Sequence, residues 1–194
     1  MKRLSILTFG ILAISFIIIN PARAEEDLKS LQGVEFLTGL GQGGLKLKRD
    51  YRVVPFFVAF DFDMKPLTKK IRFNPPSLVQ FQLEPFLALV TQPKVNTEVG
   101  TSFLFKFGLL PETWTWQPYV KGGVGLIYMS HGTLEQSTRF NFISQVGAGF
   151  HYFFDKDRSL TLEYRFRHTS NAGIKYPNSG IDLHFCIFGI THHF

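Results

Sequence analysis

The stretch TEVGTSFLFKFGL, Thr97–Leu109, decides the fold. Val99, Thr101, Phe103, Phe105, Phe107 and Leu109 take every second position, against Glu98, Gly100, Ser102, Lys106 and Gly108. A helix would repeat its apolar residues every three or four positions. A period of two belongs to an extended strand whose two faces meet different surroundings.

The same period recurs on either side. Val54, Phe56, Val58, Phe60 and Phe62 share a face, as do Val79, Phe81, Leu83, Leu87 and Leu89, with Gln80, Gln82 and Glu84 opposite. Downstream, Val120, Val124, Leu126 and Tyr128 oppose Lys121, Gly123 and Gly125. Phe142, Val146, Ala148, Phe150 and Tyr152 oppose Asn141, Gln145, Gly147 and His151. With an opening strand in 32–47, another in 159–168 and a last one ending at Phe194, about eight strands are expected.

Composition says what surrounds them. The chain carries 22 phenylalanines and 17 glycines, yet beyond the leader no run approaches the 18 apolar residues of a membrane helix. A membrane protein without helical spans must be a closed barrel, which pairs every backbone group internally. The expected fold is therefore all-β, an eight-stranded antiparallel transmembrane β-barrel with glycine and polar groups in a narrow lumen. Trp114, Trp116, Tyr119, Tyr128, Tyr152 and Tyr164 are expected at the membrane interfaces. The rival is a soluble sandwich or lipocalin-like barrel, identical strand by strand but with its apolar faces inward. One segment fits poorly: DMKPLTKKIRFNPPS, 63–77, falls where a short periplasmic turn is expected.

The N-terminus sets the compartment. Lys2 and Arg3 precede an apolar run, Ile6 to Ile19, and Ala22 and Ala24 form an A-x-A cleavage pattern. Residues 1–24 read as a cleaved signal peptide and 25–194 as one outer-membrane barrel domain. Lys2, Arg3 and Arg23 leave with the leader, lowering the formal charge from +6 to +3. That mild charge, with no basic helix, argues against a nucleic-acid partner. The single cysteine, Cys186, excludes an internal disulfide and reads as a small wall residue.

One patch of the barrel wall is chemically out of place. In 159–168, Leu160, Leu162, Tyr164 and Phe166 share the lipid-facing parity, and His168 has it too. If the strand continues, Ser170 projects from the same face about 6.5–7 Å further on. Counting back by twos from an outward Phe194 reaches Asp182, which a neighbouring strand can bring opposite His168 at roughly 4.5–5.5 Å between Cβ atoms. Serine, histidine and a carboxylate are the parts of a nucleophile, its base and the group that orients the base. With both termini periplasmic, an even strand count puts the patch on the extracellular side, against lipopolysaccharide. The bland reading is a hydrogen-bonded turn, since Asn-Ala-Gly and Pro-Asn-Ser-Gly are ordinary turn formers.

The stretch EYRFRHTSNAGIKYPNSGID, Glu163–Asp182, resembles the signature of the lipid A 3-O-deacylase (PagL) family of outer-membrane barrels. That pattern is His-x-Ser-Asn-Ala-Gly, then an asparagine–glycine turn and an acidic residue. The similarity runs from about Phe81 to Asp182 and includes YVKGGVGL and QVGAGFHYFF. The resemblance implies Ser170 as nucleophile, His168 as base, Asp182 as orienting acid, and an oxyanion hole from the backbone N–H groups of Asn171 and Gly173. It implies no cofactor and no metal. Two positions depart from the family: Asp182 stands where glutamate is commoner, and Ser179 where the turn usually has proline.

The remaining polar residues read differently. His184, His192 and His193 suggest a metal only weakly, because the last two lie at the far end of their strand. Arg165 and Arg167 point by parity into the lumen, toward charge pairing with Glu163 or with neighbours of Lys121. Lys48, Arg49, Arg52 and Lys175 lie at the extracellular rim, where they suit lipid phosphates or plain solvation.

The function expected is an outer-membrane serine esterase that hydrolyses the 3-O-linked acyl chain of lipid A. Its partners are lipid A and membrane lipid, its active site faces the outer leaflet, and homodimerisation is left open. The alternatives are a non-catalytic small barrel with a structural or surface role, and an outer-membrane phospholipase.

Overall fold

A computed structural model describes residues 30–45 and 50–194. The expected leader, and Lys48 and Arg49, expected at the rim, lie outside them. Eight strands close into one antiparallel barrel in chain order: β1 (Leu31–Gly44), β2 (Asp50–Asp63), β3 (Ser77–Gln92), β4 (Asn96–Pro111), β5 (Trp116–Met129), β6 (Phe140–Phe153), β7 (Arg158–Ser170) and β8 (Ile181–His193). β8 closes on β1 with Phe36 opposite Ile190 and Leu40 opposite Cys186. No described helix is long and apolar enough to cross a membrane, and the strands do the crossing.

The wall is apolar outside and charged inside, which settles lipid against lumen. Val99, Phe103, Phe105, Phe107 and Leu109 of β4 are exposed, while Glu98, Ser102 and Lys106 are buried. A soluble barrel would show the reverse, so the lipocalin-like alternative falls. The middle of the lumen is occupied by paired charges. Arg165 bridges Glu84, at 2.5 and 2.8 Å, and Glu163, at 2.6 Å. Lys121 meets Glu163 at 2.7 Å, Arg167 meets Glu98 at 2.7 Å, and Lys106 holds Glu35 and Asp61 together. Buried charges persist only when paired, because each is costly to take out of water. Arg165 and Arg167 are thus lumenal partners, as their parity required.

Two expectations about single residues are corrected. Tyr119, expected in an interfacial girdle, is 1% exposed and donates its hydroxyl to Glu163 at 2.7 Å inside the lumen. Its neighbours Val120 and Pro118 take the outward parity, so aromatic character misled where parity did not. Val79, expected on the lipid face, is buried beside a register shift between Ser77 and Val79. Trp116, Phe150 and Tyr152 do cluster outside, at the end that carries both termini, with ring centroids 4.9–5.0 Å apart from Trp116.

The poorly fitting segment is structured. Between β2 and β3 a short helix, α1 (Lys65–Thr68), runs into a 3-10 turn, Lys69–Ile71. It lies at the end of the barrel with the termini. The β7–β8 connection, 171–180, lies at the opposite end.

Candidate active site

His168 and Asp182 face each other directly across the β7–β8 ladder. Direct pairing brings short side chains into reach, and His168 Nδ1 lies 2.6 Å from Asp182 Oδ1. The reach of a longer glutamate is not needed here. Both side chains sit on the outer face, 41% and 59% exposed. Nε2 of His168 has no hydrogen-bond partner among the described residues.

β7 continues through Ser170, so the condition for its parity is met. Ser170 is opposite Phe142 and His168 opposite Ser144 on β6, all on the lipid-facing side. Ser170 makes no side-chain hydrogen bond among the described residues, and its hydroxyl is free to turn toward the imidazole. It forms one end of an apolar groove of about 450 Å³, lined by Phe103, Val124, Leu126, Phe142 and Ser144 across β4–β6. This groove runs over the outer wall and opens to lipid.

The turn after Ser170 is fastened from two directions. Asn171 folds back on its own turn, its Oδ1 accepting the Gly173 N–H at 3.0 Å and its Nδ2 donating to the Lys175 carbonyl at 2.7 Å. Asn178 Oδ1 accepts the Asn171 N–H at 3.0 Å. Both N–H groups expected at the oxyanion hole are therefore engaged by side-chain amides, which is the ordinary turn chemistry of asparagine. Ala172, between them, is held left-handed with φ 54°. Neither its N–H nor the Asn178 Nδ2 has a partner among the described residues.

The 130–139 loop clamps this turn. Ser137 N–H donates to the Pro177 carbonyl at 3.0 Å, and Gln136 Nε2 to the Thr169 carbonyl at 3.1 Å. Ser179 N–H donates to the Glu135 carbonyl at 2.9 Å. A proline at 179 has no N–H to give, so the departure from the family pattern adds a strut.

Three features escaped the reading of the sequence. Gly180 is left-handed, φ 78°, and lies under the catalytic-type imidazole; a Cβ there would come within 2.5 Å of His168 Cε1. Asn178 links the two halves of the turn. Tyr164 and His184 form a second polar pair on the lipid face, hydroxyl to Nδ1 at 2.6 Å. His184 shares Asp182's parity, which was the available signal. His192 and His193 lie at the other end of β8, away from His168. Lys175 is exposed beside the site, and Arg52 pairs with Asp50 at 2.8 Å.

Comparison with known proteins came to the same place. The model of the family described as lipid A 3-O-deacylase (PagL) matches residues 58–191, beginning earlier than the visible motif similarity. The crystal structure of the outer membrane enzyme PagL superposes with a TM-score of 0.61 at 17% identity, covering 81% of this chain and 97% of that one. Neisserial surface protein A superposes equally, TM-score 0.61 at 12% identity, over 84% of this chain and 96% of that one. At such identities these two likenesses speak for the barrel alone. No curated protein sequence matches the chain.

Proposed function

Because the chain belongs to the lipid A 3-O-deacylase (PagL) family, we propose that it is an outer-membrane serine esterase that removes the 3-O-linked acyl chain of lipid A. The observation that carries this reading is the 2.6 Å contact between His168 and Asp182 on the lipid-facing wall, two residues from Ser170. A charged, hydrogen-bonded dyad aimed at hydrocarbon is costly to keep for packing alone.

The geometry supports one assignment of roles. Asp182 holds the proton on Nδ1, leaving Nε2 as the acceptor that faces substrate. Ser170 Oγ attacks the ester carbonyl and gives its proton to Nε2. The tetrahedral intermediate collapses, the sugar oxygen leaves with that proton, and the acyl group stays on Ser170. Water, deprotonated by His168, then releases the fatty acid and restores the serine. Hydrogen bonds in such a site often close only around substrate, so a rotatable, unbonded Ser170 is compatible with this role. Oxyanion stabilisation falls to the same turn, in which Ala172 N–H and Asn178 Nδ2 are donors left open among the described residues. The groove beyond Ser170 suits the departing acyl chain, since its walls are apolar and open sideways to the membrane.

The test is direct. Folded protein in mixed micelles with lipid A should remove one 3-hydroxyacyl mass, read by mass spectrometry, and leave phospholipid intact. Cleavage of phospholipid instead supports the phospholipase alternative, and loss of neither supports a scaffold. The outer-leaflet orientation has its own check. A cysteine at Lys175, in a Cys186→Ala background, should react with an impermeant thiol reagent on intact cells. Reaction only after the outer membrane is opened would turn the site to the other leaflet.

Gly180→Ala tests the support of the imidazole. Its Cβ would overlap His168 Cε1, at 2.5 Å, and the left-handed backbone there resists any side chain. A displacement of about 1 Å costs on the order of 10²-fold in rate. We expect that loss in deacylation with unchanged heat-modifiable migration on gels, and wild-type activity would show that the ring does not need this seat.

A further inference from the structure

The connection between β2 and β3 is longer than a strand turn requires, and it is built rather than loose. Met64 N–H donates to the Val79 carbonyl at 2.9 Å, and Lys65 N–H to Asp63 Oδ1 at 2.8 Å. The Lys65 ammonium pairs with Glu112 on the β4–β5 turn, whose N–H donates to the Pro76 carbonyl at 3.1 Å. Arg72, left-handed at φ 62°, ends the helical segment, with Phe73 N–H returning to the Thr68 carbonyl at 3.0 Å. This clamped platform presents apolar and basic side chains together. Leu67, Ile71 and Phe73 are 55%, 75% and 46% exposed. Lys69, Lys70 and Arg72 have no ion-pair partner among the described residues, and no acidic residue occurs from Met64 to Leu83.

We propose that this platform binds the headgroups of anionic phospholipids in the membrane leaflet at the end of the barrel where β1 begins and β8 stops. Exposed apolar residues interleaved with unpaired cations are the pattern of an interfacial element: the apolar groups enter the headgroup boundary and the cations meet lipid phosphates. Position agrees with chemistry. The strands on either side enter and leave the platform through lipid-facing aromatics, Phe62 and Phe81, with ring centroids 6.4 Å apart, and Phe81 in turn meets Phe105 at 5.7 Å. The platform therefore sits where the hydrocarbon wall ends. It would hold the barrel at a fixed depth from the end opposite His168, independently of whether the esterase reading holds.

Each basic side chain near an anionic surface adds about fivefold to binding, so three together amount to roughly 10². The full mature protein, folded in micelles with equal phosphatidylglycerol and phosphatidylcholine, is examined by native mass spectrometry for retained lipid. Wild type should retain phosphatidylglycerol in clear excess. Lys69→Gln/Lys70→Gln/Arg72→Gln should lose that excess, whereas Arg52→Gln/Lys175→Gln, at the other end, should keep it. Leu67→Ser/Ile71→Ser/Phe73→Ser should weaken retention of both lipids. Heat-modifiability of each variant reports folding. Equal retention by wild type, or an excess that survives the triple glutamine variant, overturns the proposal. So does cation-dependent sedimentation with cell-wall polymer in the absence of a lipid preference, which would make that polymer the partner.

Discussion

Ser170→Ala should stop the proposed deacylation, with a loss of about 10⁴-fold or more, in a barrel that still folds. In the proposed mechanism this hydroxyl is the atom that bonds to the acyl carbon. Ser144, another hydroxyl on this face, lies opposite His168 on β6 rather than beside the clamped turn. His168→Asn should cost as much, because an alcohol without a base is a poor nucleophile. The two act as one unit, so the double variant should be no slower than either single one. Both side chains project from the wall and carry none of the lumenal pairing, so gel heat-modifiability should not change. Release of the 3-hydroxyacyl chain from lipid A is the readout. A Ser170→Ala protein as active as wild type ends the serine esterase reading and leaves a family member without this chemistry.

Asp182→Asn should cost on the order of 10⁴-fold, the scale seen when the orienting carboxylate of a serine-protease triad becomes an amide. The amide keeps the shape but cannot hold the imidazole in the needed tautomer or stabilise its protonated form. Asp182→Glu separates charge from reach. The direct ladder pairing already closes the contact at 2.6 Å, and both partners are partly open to the outside. The extra methylene therefore has room to bend, and activity should stay within about tenfold of wild type. If glutamate fails as badly as asparagine, the short contact is a requirement of this site. If asparagine works normally, Asp182 is a structural partner of His168 and another group orients the base.

Much of this protein is legible because parity is a local property. In a strand each residue's face follows from its neighbour's, so TEVGTSFLFKFGL announces a wall with unlike sides, and His168, Ser170 and Asp182 announce a shared face. Counting by twos along β8 reached Asp182 because no bulge interrupts β8 between it and the terminus. Parity is symmetric, however, and does not say which face meets lipid. The closed lumen decides that, because Arg165, Lys121, Glu84 and Glu163 find their partners only when three strands from different parts of the chain surround one axis. Tyr119 shows the limit: its aromatic ring suited a girdle, but only assembly revealed Glu163 within reach of its hydroxyl. The site divides the same way. Sequence alone singled out the candidate side chains and put them on one face. Tertiary structure decided the register that joins His168 to Asp182, the amides that occupy the Asn171 and Gly173 donors, and the 130–139 loop that holds the turn. The register and the loop clamp depend on contacts between segments distant in the chain, and the amide bonds on the fold of the turn, none of which a local period encodes.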